Sequence, residues 1–189
     1  MVQSFDCTAY IRSIAQEFKS IAEHNNIDYR IITPHIPIKV YSDPILLEKI
    51  ILNLLNNAFK YCNSGIIEIE LAEKMDINNE TLKNRTEILS GYKAKAYFYI
   101  RIKDTGIGIS AESIDKVFDR YYQIEDSEHD QHLGSGVGLA LVKELVLLHK
   151  GSLTLYSERN KGCEFILCFP ADIQTIHQMK SNNKRKKFQ

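Results

Sequence analysis

Two glycine-rich turns, set at opposite kinds of junction, constrain this chain more than any other feature. The first, Asp104-Thr105-Gly106-Ile107-Gly108-Ile109, follows directly on the alternating segment Lys95–Lys103, which reads as a strand. The second, Leu133-Gly134-Ser135-Gly136-Val137-Gly138-Leu139, opens a predicted helix over Val137–His149 that Lys150-Gly151 closes in C-cap position. Glycines two apart let backbone approach another group closely and visit positive φ. One turn leaves a strand and the other enters a helix, so the chain must layer strands and helices on one another.

The remaining elements fit that arrangement. Ile11, Ile14, Phe18, Ile21 and Ala22 recur at three- and four-residue steps and predict one helix over Phe5–Asn25. Short strands are expected near Tyr29–Thr33 and Ile38–Tyr41, parted by a Pro-His-Ile-Pro turn. Asp43-Pro44 has the form of an N-cap followed by proline at N1, opening a helix to about Tyr61. Gly65–Leu71 alternates as a strand, and the polar stretch 73–93 reads as a long solvated hairpin loop before the next. A short helix is expected near Ile114–Phe118, and strands Ser152–Tyr156 and Cys163–Phe169 close the domain. The expectation is an α/β, two-layer α+β sandwich over residues 1–172: a mixed sheet with helices on one face, then a basic tail or linker over 173–189.

Bulk properties exclude several classes. The chain has 189 residues, enough for one well-cored domain, and a formal net charge of zero, which gives no pull toward nucleic acid or an anionic membrane. Its four cysteines form no CxxC and no zinc-ligand spacing, which suits small buried residues in a reducing cytoplasm. No apolar run approaches the ~20 residues of a membrane span.

Three constellations carry chemistry. In the helix EKIILNLLNNAFKY, Asn53, Asn57 and Lys60 share one face, with Tyr61 beside them and Ile50, Ile51, Leu54, Leu55 and Ala58 opposite. Asparagine is a poor helix former, so the pair has two readings: an exposed polar face, or a metal–phosphate face. In the second reading an Asn oxygen completes the shell of a Mg²⁺ otherwise held by phosphates and water, and Lys60 adds a point charge. Asp104, before the first glycine turn, accepts hydrogen bonds only, which matches the exocyclic amine of adenine; a turn capped by Asp has the same appearance. The second glycine turn presents free N–H groups to an anion at a helix N-terminus, yet it is neither a GxxxxGK[ST] loop nor a complete dinucleotide fingerprint.

In this order the three motifs resemble the GHKL ATPases, and within them the catalytic domain of sensor histidine kinases, in the style of hybrid two-component regulators. The helix is similar to the N box of that family, DTGIGI to its G1 box, Val117–Gln123 to its F box and GSGVGL to its G2 box, over about residues 5–170. The resemblance implies a Bergerat-type ATP-binding fold. It also implies Mg²⁺ on Asn57, a contact from Asn53 either to a phosphate or to a group that itself binds the metal, a phosphate clamp from Lys60, and adenine held between Tyr61 and Asp104. Gly106, Gly108 and Ile109 would line the base; Gly134, Ser135, Gly136, Val137, Gly138 and Leu139 would close on the phosphates. A mobile lid over 123–134 would be rooted by Phe118, Tyr121 and Tyr122, and Arg120 would serve a phosphate or a surface ion pair. Cys163 stands where the family has a Thr or Ser, which implies weaker hydrogen bonding near Asp104.

Hydrolysing relatives of the gyrase and MutL types carry a Glu one turn before the Mg²⁺-binding Asn. Asn53 occupies that position here and cannot take a proton, which favours phosphotransfer over hydrolysis. Of His24, His35, His129, His132, His149 and His177, only His129-Asp130 begins like a phosphoacceptor motif, and it lacks the following proline. The expected partners are therefore a histidine-containing dimerisation domain of a homodimeric parent and a downstream receiver domain, with no nucleic acid and no membrane contact by this domain. The expected setting is the cytoplasmic part of an inner-membrane sensor, with the isolated domain monomeric. A hydrolysing ATPase or a non-catalytic docking module are the alternatives.

Overall fold

The computed structural model describes residues 1–124 and 136–172. In chain order its elements are β1 (Gln3–Asp6), α1 (Cys7–Gln16), α2 (Lys19–His24), β2 (Ile27–Ile32), β3 (Lys39–Ser42) and α3 (Pro44–Tyr61). They continue with β4 (Gly65–Ala72), β5 (Asn84–Ile88), β6 (Tyr97–Asp104), α4 (Gly138–Leu148), β7 (Ser152–Glu158) and β8 (Gly162–Pro170). Six strands form one mixed sheet in the order β2-β4-β6-β8-β7-β5, parallel only between β2 and β4. β1 and β3 make a separate antiparallel pair.

Strand alternation gives the sheet its two faces. Ile67, Ile69 and Leu71 of β4, Phe98, Ile100 and Ile102 of β6, and Phe165, Leu167 and Phe169 of β8 lie on the inner face. They share one core with Ile11 and Ile14 of α1, with Leu47, Ile50, Ile51, Leu54 and Leu55 of α3, and with Val142 and Val146 of α4. The helices thus cover one face of a mixed sheet, as expected. The other face carries cross-strand charge: Arg101 pairs with Glu70 and lies 3.4 Å from Glu68 and 3.5 Å from Glu164.

Four local expectations need correction. The first predicted helix is a strand followed by two helices. Residues 3–6 pair with β3, and Asp6 caps α1 by accepting the Ala9 N–H at 3.0 Å. The helix breaks at Glu17–Phe18, where N–H groups reach only three residues back, to Ile14 and Ala15. Phe18 there stacks on Phe59 with centroids 5.3 Å apart, and Ile21, phased out of the apolar face, is exposed. Second, the strand at 39–42 joins β1 and not the main sheet.

Third, the stretch 73–93 is no plain hairpin loop. β4 and β6 are antiparallel neighbours, yet the chain between them crosses the charged face and adds β5 at the far edge, beside β7. Leu82 and Met75 pack there on Tyr156, Ile166 and Tyr99. Periodicity misses β5 because Asn-Arg-Thr-Glu-Ile holds a single apolar residue. Fourth, residues 111–118 form successive turns and no regular helix.

Candidate functional site

Asp43 accepts the Ile45 N–H at 3.2 Å and Pro44 occupies the first turn, so α3 starts where the sequence signals it. Its buried face fixes its rotation, which leaves Asn53, Asn57 and Lys60 half-buried on one stripe and Tyr61 exposed. Asn53 donates Nδ2 to the Lys49 carbonyl at 2.7 Å, which leaves its Oδ1 toward the start of α4. Asn57 makes no side-chain hydrogen bond among the described residues. The Lys60 ammonium sits 4.8 Å over the Tyr61 ring. Lys49 faces solvent.

The turn after β6 is held at four of its N–H groups and two of its carbonyls. Thr105 N–H donates to the Ile66 carbonyl at 3.1 Å, and Thr105 Oγ1 accepts the Ile66 N–H at 2.9 Å. Ile107 N–H donates to the carbonyl of Tyr61, the last residue of α3, at 3.1 Å, and the Ile107 carbonyl accepts from Asn160 N–H at 2.6 Å. Ile109 N–H donates to Ser157 Oγ at 2.8 Å, and its carbonyl accepts Asn84 Nδ2 at 3.3 Å. Gly106 lies so near α3 that a Cβ there would meet the Tyr61 oxygen at 2.2 Å. Gly108 has φ +63° and backs onto the Glu158 carbonyl, 2.0 Å from where a Cβ would stand.

Asp104 is buried at the end of β6, and its carboxylate accepts the Gly106 N–H at 2.9 Å. Burial pushes its pKa up to about 6, against the lowering pull of the Gly106 and Cys163 N–H groups. Cys163 is its cross-strand neighbour on β8, and the Cys163 Sγ lies 3.3 Å from Ser157 Oγ. Burial first, then the Asp104 charge, hold that thiol in its neutral form.

The second glycine turn is described only from Gly136 on; Gly134, Ser135, His129 and His132 lie outside the described residues, as do most of the expected lid, 125–134, and the tail 173–189. Gly136 accepts the Tyr121 N–H at 2.9 Å. Val137 is exposed, and Gly138 starts α4 with Leu139 half-buried behind it. A Cβ on Gly138 would lie 3.0 Å from Asn53 Oδ1, so α4 begins against the polar stripe of α3. Phe118 is buried and Tyr122 donates its hydroxyl to Ser113 Oγ at 3.1 Å, while Tyr121 is 76% exposed and does not pack. Arg120 pairs on the surface with Glu144 of α4. His24 and His35 are exposed, and His149 is buried against Phe169.

The fold therefore brings three distant motifs together, joining α3 to the first turn through Tyr61 and to α4 through Asn53. Ser157, Asn84 and the Tyr61 carbonyl were not legible as parts of this site. The first had a faint signal, a lone polar residue at an inward position of an apolar strand; the carbonyl had none.

A family model for "Histidine kinase-, DNA gyrase B-, and HSP90-like ATPase" matches residues 42–173. The chain belongs to that family. Within it, the chain is 32% identical over 160 residues to Hybrid signal transduction histidine kinase D of Dictyostelium discoideum, covering 85% of this chain and 9% of that protein. Among solved structures, full-length ShkA in complex with AMPPNP superposes with a TM-score of 0.68 at 21% identity, over 89% of this chain and 31% of that one. The nucleotide-free catalytic domain of histidine kinase ThkA does so with a TM-score of 0.68 at 20% identity, over 91% of this chain and 97% of that one. Both structural likenesses bear out the expected fold. The chain spans about a tenth of the length of the curated relative it matches. Among the described residues no helix is long and apolar enough to cross a membrane.

Proposed function

We propose that this domain binds Mg-ATP between α3, the 104–109 turn and the start of α4, and transfers the γ-phosphoryl group to a histidine on a separate dimerisation domain. The convergence of the three motifs carries this reading. Asp104 is the one buried carboxylate at the turn, aimed by two backbone N–H groups, and suits the adenine amine. Gly106, Gly108 and Ile109 shape the base site, with Tyr61 at its side. Gly134, Ser135, Gly136, Val137, Gly138 and Leu139 are assigned to the phosphates, where a helix start opposes negative charge. Support for this comes from Gly138, whose missing side chain leaves room beside Asn53.

Mg²⁺ fits the polar stripe by its chemistry. Among the described residues no cluster of three or more His, Cys, Asp or Glu forms a cage. An ion held mainly by phosphates and water needs only one or two protein oxygens, and Asn57, with no side-chain partner among the described residues, has one to offer. The ion, when bound, would neutralise charge on the phosphates. Lys60 would add its ammonium to the same group, and Asn53 would touch either a phosphate or a water held by the ion.

Transfer, not hydrolysis, follows from Asn53. Its amide stands one turn before Asn57 and cannot serve as a general base for water. The domain would hold ATP until an imidazole nitrogen arrives; the terminal P–O bond then breaks, a P–N bond forms and ADP leaves. Positioning and charge stabilisation supply the rate. The reading places the domain in a cytoplasmic, homodimeric parent that passes phosphate to a receiver domain.

Incubation of the domain with γ-labelled Mg-ATP and a supplied dimerisation domain tests the proposal. Acid-labile label on the partner's histidine is expected. Tight ATP binding without transfer to a competent acceptor would leave a non-catalytic docking module, and steady phosphate release by the domain alone would leave an ATPase.

A further inference from the structure

Across four neighbouring strands runs one row of inward polar residues: Asn84 on β5, Ser157 on β7, Cys163 on β8 and Asp104 on β6. The next row, Thr86, Leu155, Phe165 and Ile102, has one polar member at the sheet edge, and the row after it, Ile88, Leu153, Leu167 and Ile100, is apolar. The polar row ends at the carboxylate assigned to adenine, and its far members hold the opposite end of the same turn. Ser157 is fully buried; its hydroxyl accepts the Ile109 N–H at 2.8 Å and donates to the Gly162 carbonyl at 2.8 Å. Its single proton is thus committed to Gly162, which leaves its lone pairs to Ile109 and orients the contact. Asn84, carried in by the edge strand, donates to the Ile109 carbonyl at 3.3 Å.

We propose that Ser157 and Asn84 are positioning residues for base recognition: by gripping both polar atoms of Ile109 they set where the glycine turn lies and so where Asp104 points. The turn leaves β6 at Asp104 and is clamped again at Ile109. Two glycines between these ends give it freedom that the backbone contacts to Tyr61 and Asn160 only partly remove. Removing the Ile109 clamp lets the end relax, and a directional hydrogen bond from the adenine amine loses its alignment. Stacking and phosphate contacts, which do not depend on the carboxylate, keep their strength. The insertion that carries β5 thereby becomes part of the nucleotide site without touching the ligand.

This inference rests on the adenine reading of Asp104, and the test separates the two. Dissociation constants for Mg-ATP and Mg-ITP, whose base carries a carbonyl in place of the amine, are measured by calorimetry on the full chain and on Ser157→Ala, Asn84→Ala and Ser157→Thr. The wild type is expected to prefer ATP. Ser157→Ala is expected to weaken ATP about tenfold and Asn84→Ala about threefold, with ITP unchanged, so that the preference narrows. Ser157→Thr keeps the hydroxyl and restores it. Equal loss for both nucleotides, or no loss for either, would overturn the inference and leave a scaffold role only. If Ser157→Ala does not fold, the half-exposed Asn84→Ala decides by the same ratio. A wild type that binds both nucleotides alike would overturn the adenine reading itself, and the inference with it.

Discussion

The 104–109 turn and the polar stripe of α3 meet at the carbonyl of Tyr61, and they are built in opposite ways. The turn has four of its five backbone N–H groups and two of its carbonyls engaged by protein, with partners on five different segments. The stripe offers Asn57 with no side-chain bond among the described residues, and Asn53 with only its amide nitrogen tied down. Groups satisfied within the protein define shape; groups left to solvent are open to a ligand that replaces that solvent. The turn is thus the rigid half of the site and the stripe the receptive half.

Four experiments would break or sharpen that contrast, beginning with the largest expected effect. Gly108→Ala puts a Cβ 2.0 Å from the Glu158 oxygen at a residue with φ +63°, so either the turn or the β7–β8 hairpin must move. A loss of about 3 kcal/mol in urea unfolding is expected; an unchanged midpoint would show that the turn is not rigid. On the proposed adenine reading, Asp104→Asn should abolish ATP binding, since a buried group that only accepts is replaced by one that also donates; unchanged affinity by calorimetry would remove the adenine assignment.

The third experiment varies pH. Burial favours the protonated Asp104 in the folded chain. The stability this group contributes is fully present below its ordinary 3.8 and is lost as pH rises through about 6. On the adenine reading, nucleotide binding needs the ionised form, so ATP affinity should fall about tenfold between pH 7.5 and pH 5 while the unliganded fold gains stability. A flat affinity profile would place the carboxylate outside the base site. The smallest effect concerns the receptive half. Asn57→Ala should stabilise α3 by about a few tenths of a kcal/mol, since alanine is the better helix former and no side-chain bond among the described residues is lost. It should also erase the difference in ATP affinity with and without Mg²⁺. A clear fall in melting temperature would make Asn57 structural.

Much of this was legible along the chain. The α3 face of Ile50, Ile51, Leu54 and Leu55 fixes which side Asn53 and Asn57 present, because 3.6-residue periodicity ties burial of one face to exposure of the other. The glycine turns were legible for a different reason: positive φ and close backbone approach need glycine, so they write themselves into residue identity. β1 and β5 were not legible. Each holds too few apolar residues for a period, and each exists because a partner strand, β3 or β7, offers it a ladder. The break at Glu17–Phe18 was also invisible, since no Pro or Gly marks it and the cause is the stacking of Phe18 on Phe59.

The sequence by itself determined the layered architecture, the three motifs and their order, and the amide at position 53 on which the proposed preference for transfer over hydrolysis rests. All of these depend on residue type and local spacing. Only the tertiary structure decided that β5 returns to the far edge of the sheet and that the Tyr61 carbonyl anchors the turn. It also decided that Ser157 and Asn84 fall in one row with Cys163 and Asp104. Strand pairing at long sequence separation is set by the competition of all strands for one core, and a main-chain carbonyl carries no residue-specific mark. No local pattern encodes either.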